Sequence, residues 1–312
     1  MKFSHVIFAL FFVCFVSVFV FAQDKDKKQA QKLVEVKANV AVLDSSGNLN
    51  GDAKLEDLKI FEDGVEQKIT YFAKKEPVLN LGLVIDNTGS MRMQLDKAAS
   101  AGAVIAYNLL PADEAFIVRF VDSDIIQNVQ PWTSDKSQLR TALQQMYVEG
   151  GQSAITDALY LSATEILTRQ KKEPARRYAL VLITDGEDRD SYYKLDEMLS
   201  LIEKTDVQIF VIALTKDLPK KAKTNAEKYV RTVALETGGN AYVLSDKYTD
   251  EALLGVIKSI LVELGSQYVV GYTSTNPNRD NLPRKLTVQV TDNAKGEKRS
   301  GRIRENFVVP KD

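Results

Sequence analysis

The amino-acid sequence predicts an α/β protein: a doubly wound, mainly parallel sheet flanked by helices, with an additional antiparallel β layer built from the N- and C-terminal segments. Two observations predict this fold class. Between residues 77 and 264, short apolar runs alternate with segments of helical period, which is typical of parallel sheets. On either side of that region, apolar and polar residues alternate singly, as they do in half-buried antiparallel strands.

The first 22 residues have the pattern of a secretory signal peptide. Lys2 precedes an apolar run over residues 6–21, and Val20-Phe21-Ala22 places the small residues Val20 and Ala22 at the cleavage positions. An uncleaved membrane anchor is the alternative, because the run is only slightly shorter than a membrane span. Residues 23–30 are predicted to be a linker. We therefore expect an exported protein, periplasmic or secreted, that contacts a membrane only if the segment is uncleaved.

The composition excludes several kinds of chemistry from the exported chain. The single histidine, His5, and the single cysteine, Cys14, both lie in the predicted signal peptide. Without them the chain cannot form Ser-His-Asp or Cys-His catalytic sites, Cys/His zinc sites or disulfides. The net charge of −1 gives no reason to expect a nucleic-acid partner. The 312 residues, 45% of them hydrophobic, are sufficient for a sizeable core.

Residues 31–76 are predicted to form an N-terminal β unit. Its first strand, residues 33–43, alternates apolar and polar side chains. Residues 58–62 and 65–72 flank Asp63-Gly64, a turn dipeptide that favours a β-hairpin. A unit of this size needs a second surface to cover its apolar face.

The C-terminal segment, residues 265–312, is expected to provide that surface. Three predicted strands lie in it, at 267–273, 285–291 and 301–309. Packing the two ends of the chain together would also protect the strand edges of each.

The α/β domain is predicted to span residues 77–264. Its strands are expected at 78–85, 114–121, 125–129, 178–184, 207–214 and 241–244, and its helices at 94–110, 137–147, 155–170, 195–204, 225–237 and 249–264. The lysine-rich residues 216–223 are expected to form a solvated loop, as charge runs usually do.

Oxygen-bearing side chains follow the predicted strands of this domain. The first strand ends in Asp86, and Thr88 and Ser90 follow it at every second residue. Ser153 lies in a glycine-containing loop that leads into a helix, and Asp185 follows the strand over 178–184. Because ligand sites of open α/β sheets lie at the carboxyl ends of the strands, these residues can converge there. Such an oxygen-only set suits a hard divalent cation: Mg²⁺, with Mn²⁺ or Ca²⁺ as alternatives.

These residues resemble the von Willebrand factor type A domain and its metal-ion-dependent adhesion site. The motif of that site is Asp-x-Ser-x-Ser, then a Ser or Thr in a Gly-Gly loop, then the Asp of a Thr-Asp-Gly turn. Asp86, Thr88, Ser90, Ser153 and Asp185 match it in order, with Thr88 in place of the usual serine. Thr156 is the alternative to Ser153 if the loop is offset. Neither phosphate-binding glycine motif of the competing Rossmann and P-loop folds follows any strand.

The flanks add to the resemblance. Residues 57–64 and the Tyr268-x-x-Gly-Tyr272 segment are similar to those of bacterial exported proteins related to this domain. The two tyrosines share one face of a strand and are expected in the core.

The resemblance implies a binding role. The hydroxyls of Thr88 and Ser90 would bind the cation directly, Asp86 and Asp185 directly or through water, and Ser153 in the ligand-competent state. A Glu or Asp carboxylate of a partner protein would occupy the open position. We therefore expect an adhesion-type, non-enzymatic module. A metal-assisted phosphoesterase using Asp86 as nucleophile or ligand, and a structural scaffold with a non-functional metal site, are the alternatives.

Two further features have open interpretations. Glu187, Asp188 and Asp190 could form a second-cation cluster near the site, or an acidic turn that opens the next helix. Trp132 could anchor a sheet edge or face a partner.

Overall fold

The computed structural model describes residues 33–74, 78–172, 176–205, 207–245, 247–309 and 311. The predicted signal peptide and linker lie outside these residues. Fourteen strands and six α-helices are found in the described part of the chain. The strands are β1 (Glu35–Asp44), β2 (Leu58–Glu62), β3 (Val65–Gln67), β4 (Ile69–Ala73), β5 (Leu79–Asp86), β6 (Glu114–Phe120), β7 (Ile126–Thr133), β8 (Arg177–Thr184), β9 (Val207–Leu214), β10 (Ala241–Leu244), β11 (Tyr268–Thr273), β12 (Pro283–Val290), β13 (Arg299–Arg302) and β14 (Asn306–Val308). The helices are α1 (Leu95–Tyr107), α2 (Lys136–Gln144), α3 (Ile155–Gln170), α4 (Leu195–Ile202), α5 (Lys220–Glu236) and α6 (Asp250–Ser266).

A six-stranded sheet of order β10-β9-β8-β5-β6-β7 forms the centre of the α/β domain. Every neighbouring pair is parallel except β6 and β7. Helices cover both faces because β5 is apolar on both. Leu83 belongs to the core cluster on the face of α1 and α6, whereas Val84 belongs to the cluster on the face of α3 and α5. This arrangement confirms the predicted fold class.

The strand order reverses beside β5. The chain passes from β5 to β6 on one side and later returns to place β8 on the other side. The connections that leave β5 and β8 therefore diverge, and a crevice opens at their carboxyl ends. Asp86 ends β5, and Thr184 ends β8. This reversal positions the candidate site.

The two ends of the chain form two antiparallel sheets rather than one continuous layer. Their orders are β13-β1-β11-β4 and β14-β12-β2-β3, and one apolar cluster lies between them. The strand predicted over residues 65–72 is divided between the sheets: β3 pairs with β2, and β4 pairs with β11. Likewise, the strand predicted over 301–309 is split into β13, which pairs with β1, and β14, which pairs with β12. Tyr268 and Tyr272 are buried in this core, as predicted.

Most helix boundaries differ from the predicted ones, by up to five residues, and the largest difference is at the start of α5. Helix α5 begins at Lys220, so half of the lysine-rich segment 216–223 is helical and not a loop. The reason is that lysine and alanine favour helix, and a charge run by itself does not prevent it.

Trp132 of strand β7 anchors the sheet edge. Its ring is half-buried, packs 4.5 Å from the ring of Phe116 and donates a hydrogen bond of 2.7 Å to Glu165. Among the described residues, no helix combines the length and the apolar character needed to cross a membrane.

Candidate metal centre

The carboxylate of Asp86 is the centre of a hydrogen-bonded group of side chains at the carboxyl edge of the central sheet. Asp86 is fully buried. Its Oδ1 accepts hydrogen bonds from the backbone N–H of Thr88 at 3.0 Å and from the Thr88 hydroxyl at 2.6 Å. Its Oδ2 accepts from the hydroxyl of Thr184 at 2.6 Å and from that of Ser153 at 3.5 Å. Three separate loops or strand ends thus meet at one carboxylate.

The group extends from Asp86 to the surface. The hydroxyls of Thr88 and Ser90 lie 3.0 Å apart, and Ser90 is exposed. The Ser90 hydroxyl in turn lies within hydrogen-bonding reach of the carboxylate of Asp185, and the two residues line the same cavity. All five residues singled out in the sequence are therefore brought together, from a buried end at Asp86 to an open end at Ser90.

Ser153 reaches this group through an unusual backbone conformation. Its φ is +67°, in the left-handed region that favours glycine. The surrounding backbone holds it there. The N–H of Ser153 donates to Val121 O at 2.8 Å, and its carbonyl accepts from the N–H groups of Arg189 and Asp190 at 2.9 and 3.0 Å. At Gly151, a Cβ would lie 2.3 Å from Val121 Cγ1, so only glycine allows the close approach.

Thr156, the alternative to Ser153, is engaged elsewhere. Its hydroxyl hydrogen-bonds the carboxylate of Asp188 and lies 2.8 Å from the hydroxyl of Tyr229. Ser153 is the residue of this loop whose hydroxyl contacts Asp86.

The acidic turn after β8 acts on a different helix than the sequence suggests. Asp188 accepts a hydrogen bond of 3.0 Å from the N–H of Ile155, the first residue of α3, and one of 2.6 Å from Ser191. It therefore satisfies the N-terminus of α3 instead of opening α4, and negative charge is favourable there. Glu187 pairs with Arg189.

Two residues of this region that contribute to the site were not predicted to do so from the sequence. Thr184 donates to Asp86, and the two residues are brought together by the pairing of β8 with β5, which the sequence pattern does not reveal. Asn87 is fully buried and connects two loops. Its side-chain Nδ2 donates to Tyr147 O at 2.8 Å, and its backbone carbonyl accepts from the N–H of Glu149 at 2.9 Å. No sequence pattern distinguishes this role of Asn87 from that of an ordinary turn residue.

An arginine supports the same junction. Arg119 of β6 is buried, and its guanidinium pairs with Glu149 at 3.0 Å and lies 4.4 Å from the ring centroid of Tyr147. The loop that carries Ser153 is thus fastened to the loop of Asp86 a few residues upstream.

The electrostatics of the group fit a cation. Burial, and then the charge of Asp185, raise the pKa of Asp86 to about 7. Burial also raises the pKa of Asp185. The Oδ2 atom of Asp185 is buried and has no hydrogen-bond partner within the described structure. Two buried carboxylates that oppose each other's ionisation, together with three hydroxyl oxygens, form a donor set that suits a hard divalent ion.

The donor set contains few charges. The described residues contain no cluster of three or more His, Cys, Asp or Glu side chains arranged to hold a metal ion. The centre instead combines two carboxylates with the hydroxyls of Thr88, Ser90 and Ser153. A cavity of about 200 Å³ opens beside it, and Ser90 and Asp185 form part of its wall.

The family model of the von Willebrand factor type A domain matches residues 80–256, which is more than half of the chain. No curated protein matches. Among solved structures, an aerotolerance-related membrane protein from Bacteroides fragilis is 19% identical, with 60% of this chain and 98% of that chain covered and a TM-score of 0.47. BatB from Bacteroides thetaiotaomicron is 18% identical, with coverage of 60% and 100% and a TM-score of 0.47. A von Willebrand factor type A protein from Catenulispora acidiphila is 13% identical, with coverage of 92% and 76% and a TM-score of 0.45. On the match of the family model, the chain belongs to the von Willebrand factor type A family.

Proposed function

We propose that this protein is an exported, divalent-cation-dependent binding module that captures a Glu or Asp carboxylate of a partner protein. One observation carries the proposal: five oxygen-bearing side chains from three loops converge at the carboxyl edge of the sheet, with Ser90 at the surface, and only two of the five are carboxylates. Export is proposed from the signal-peptide pattern of residues 1–22.

The side chains have distinct roles in this proposal. The hydroxyls of Thr88 and Ser90 would hold Mg²⁺ directly, Asp86 and Asp185 directly or through water, and Ser153 when a partner is bound. Bound Mg²⁺ would supply positive charge and an open coordination position that attracts a hard anionic oxygen. Because the three hydroxyls are neutral, the protein offsets only part of that charge. The exposed position of Ser90 leaves the open end of the group accessible to a partner.

We propose binding without turnover. A metal-dependent hydrolase requires a general base or a second ion close to the first. The two carboxylates of the group, Asp86 and Asp185, are the ones that we propose to hold the ion, and the hydroxyl of Thr184 donates to Asp86. No observation favours the phosphoesterase alternative over a binding module.

Thermal unfolding tests the metal site. Mg²⁺ or Mn²⁺ is expected to raise the melting temperature of the wild type, because a ligand that binds only the folded state stabilises it. Asp86→Ala should abolish the shift, and Asp96→Asn, which changes an exposed carboxylate on α1, should retain it. A wild type whose melting temperature does not respond to either metal contradicts the proposal.

A second experiment tests partner capture. Wild-type protein and Asp86→Ala are used to retrieve proteins from envelope extract with Mg²⁺ or with EDTA. The proposal expects a protein retained only by the wild type in Mg²⁺, and expects its retention to be lost when one acidic residue of that protein is replaced. Equal retention by Asp86→Ala or in EDTA supports the scaffold alternative instead.

A further inference from the structure

A lysine-rich surface adjoins the candidate metal centre. The cavity beside Ser90 and Asp185 is also lined by Glu187, which is paired with Arg189, and by Asp217, Leu218 and Pro219, which lead directly into α5. Residues 216–223 contain four lysines and one aspartate. Here we call Lys216, Lys220, Lys221 and Lys223 the basic rim.

For three of the four lysines of the basic rim, pairing within the described part of the chain gives no explanation. Lys216, Lys220 and Lys221 are exposed. Within the described part of the chain, none of these three has a carboxylate partner. Their charges are therefore free to act on a molecule that approaches the cavity.

The position of the basic rim also opposes helix stability. The N-terminus of a helix carries a partial positive charge, so acidic residues stabilise its first turn and basic residues destabilise it. The first turn of α5 contains no acidic residue, and its N-cap, Pro219, makes no side-chain cap. Lys220 and Lys221 cost helix stability here and have no ion-pair partner among the described residues, and local features that disagree with the fold in this way are typical of functional surfaces.

Charge is divided across the carboxyl edge of the sheet. On the α5 side of the candidate centre, the four lysines of the basic rim outnumber Asp217, the aspartate that lies among them, whereas Asp122 and Asp124 lie on the opposite side, in the loop that follows β6. A chain with several negative charges is attracted toward α5 and repelled from the β6 loop. The division therefore gives a direction to a bound acidic segment.

We propose that the partner segment is an acidic polypeptide stretch: one carboxylate enters the candidate metal centre, and further carboxylates extend along the cavity to the basic rim. The inference rests on the proposed function, since it concerns the specificity of the same site. It adds that the protein distinguishes a run of acidic residues from a single one.

Fluorescence anisotropy with two labelled peptides tests this specificity. One peptide contains six consecutive glutamates in a Gly-Ser frame, and the other contains a single glutamate in the same frame. In Mg²⁺ the wild type should bind the first about tenfold more tightly, and the difference should shrink as salt is added. The double variant Lys220→Glu/Lys221→Glu should lose most of this preference. The control Lys258→Glu/Lys295→Glu changes two exposed lysines elsewhere, has the same net charge, and should retain it.

The same double variant gives a second readout. Glutamates in the first turn of α5 should raise the melting temperature of the variant protein, because their negative charge complements the helix dipole. Weaker peptide binding in a more stable protein cannot be attributed to misfolding. A preference unchanged by Lys220→Glu/Lys221→Glu overturns the inference.

The outcomes also separate this inference from the proposed function. If the wild type binds both peptides equally and only in Mg²⁺, the proposed role of the basic rim is contradicted and the proposed metal-dependent function is supported. A preference for the six-glutamate peptide that persists in EDTA and in Asp86→Ala supports recognition of acidic runs by the basic rim and contradicts the proposed metal-dependent function. Binding to phosphatidylglycerol vesicles but to neither peptide overturns the inference in favour of a lipid surface.

Discussion

The hydroxyl of Thr184 donates a hydrogen bond of 2.6 Å to the buried carboxylate of Asp86, and this bond joins the ends of the two strands between which the sheet order reverses. Both residues are fully buried. The bond stabilises the charged form of Asp86 in a place where burial opposes it. The order of the strands, which places Thr184 beside Asp86, therefore favours the ionised carboxylate that a cation requires.

Replacement of Thr184 by valine, which has nearly the same shape, should remove this bond. We expect a loss of about 1–3 kcal/mol in the free energy of unfolding, because a buried acceptor loses a donor. The pKa of Asp86 should rise further, so protons should compete more strongly with Mg²⁺ and weaken its binding. Urea unfolding and calorimetric titration with Mg²⁺ measure the two effects.

Thr168→Val is the control for this substitution. Thr168 is exposed on α3, and its hydroxyl bonds only the carbonyl of Thr164. It should change neither Mg²⁺ affinity nor, by more than about 0.5 kcal/mol, stability. Full Mg²⁺ affinity in Thr184→Val would show that the bond to Asp86 does not support the site.

Stability of the metal-free protein should depend on pH through Asp86. Because its pKa is raised from 3.8 to about 7, the folded state binds more protons than the unfolded chain between these values. The free energy of unfolding contributed by this group therefore falls as pH rises through that window. Asp86→Asn lacks the titration, so urea unfolding of both proteins from pH 5 to 8 isolates the contribution. If the free energy of unfolding changes with pH in the same way in both proteins, the expected contribution of Asp86 is contradicted.

The site could be identified from the sequence because its residues stand at the ends of strands. Asp86 ends a short apolar run and Asp185 follows another, and runs of this length are typical of buried strands, whose carboxyl ends meet at one edge of a parallel sheet. Thr184 could not be distinguished in the same way. Threonine is common in strands, and its hydroxyl gains a partner only through the neighbouring position of β8 and β5, which is a property of the sheet order.

The terminal sheets show a second limit of structure prediction from the sequence pattern. Alternation of apolar and polar residues predicted a strand over 65–72, but alternation does not reveal which neighbour a strand pairs with. The division at residue 68 arises because β3 continues the hairpin with β2, while β4 turns to extend the edge of β11. Pairings between distant parts of the chain decide this division, and the local pattern does not contain them.

The backbone of Ser153 offers a test that separates conformation from chemistry. Ser153→Gly removes the hydroxyl and relieves the positive φ, whereas Ser153→Ala removes the hydroxyl and keeps the strain. Both variants should bind Mg²⁺ more weakly than the wild type. Thermal or urea unfolding should find the glycine variant about 1 kcal/mol more stable than the alanine variant. Equal Mg²⁺ affinity in all three proteins would exclude the Ser153 hydroxyl as a ligand.

The ion pair between Arg119 and Glu149 should support Mg²⁺ binding without touching the ion. Glu149 stands a few residues before Ser153, and its N–H bonds the carbonyl of Asn87, the neighbour of Asp86. Loss of the pair should loosen the Ser153 loop. We expect Glu149→Gln to weaken Mg²⁺ affinity by about tenfold, at the lower end of the effect of groups that orient metal ligands. Calorimetric titration measures the affinity.

A double-mutant cycle decides whether Glu149 acts through Ser153. If it does, Glu149→Gln should have little further effect on Mg²⁺ affinity once Ser153→Ala is present, because the two changes remove the same interaction. Glu114→Gln is the matched control: Glu114 pairs with Arg169 at the other end of β6, so its loss should leave Mg²⁺ affinity unchanged. Additive effects of Glu149→Gln and Ser153→Ala would mean that the ion pair supports the fold in general, and that the Ser153 loop reaches Asp86 without its help.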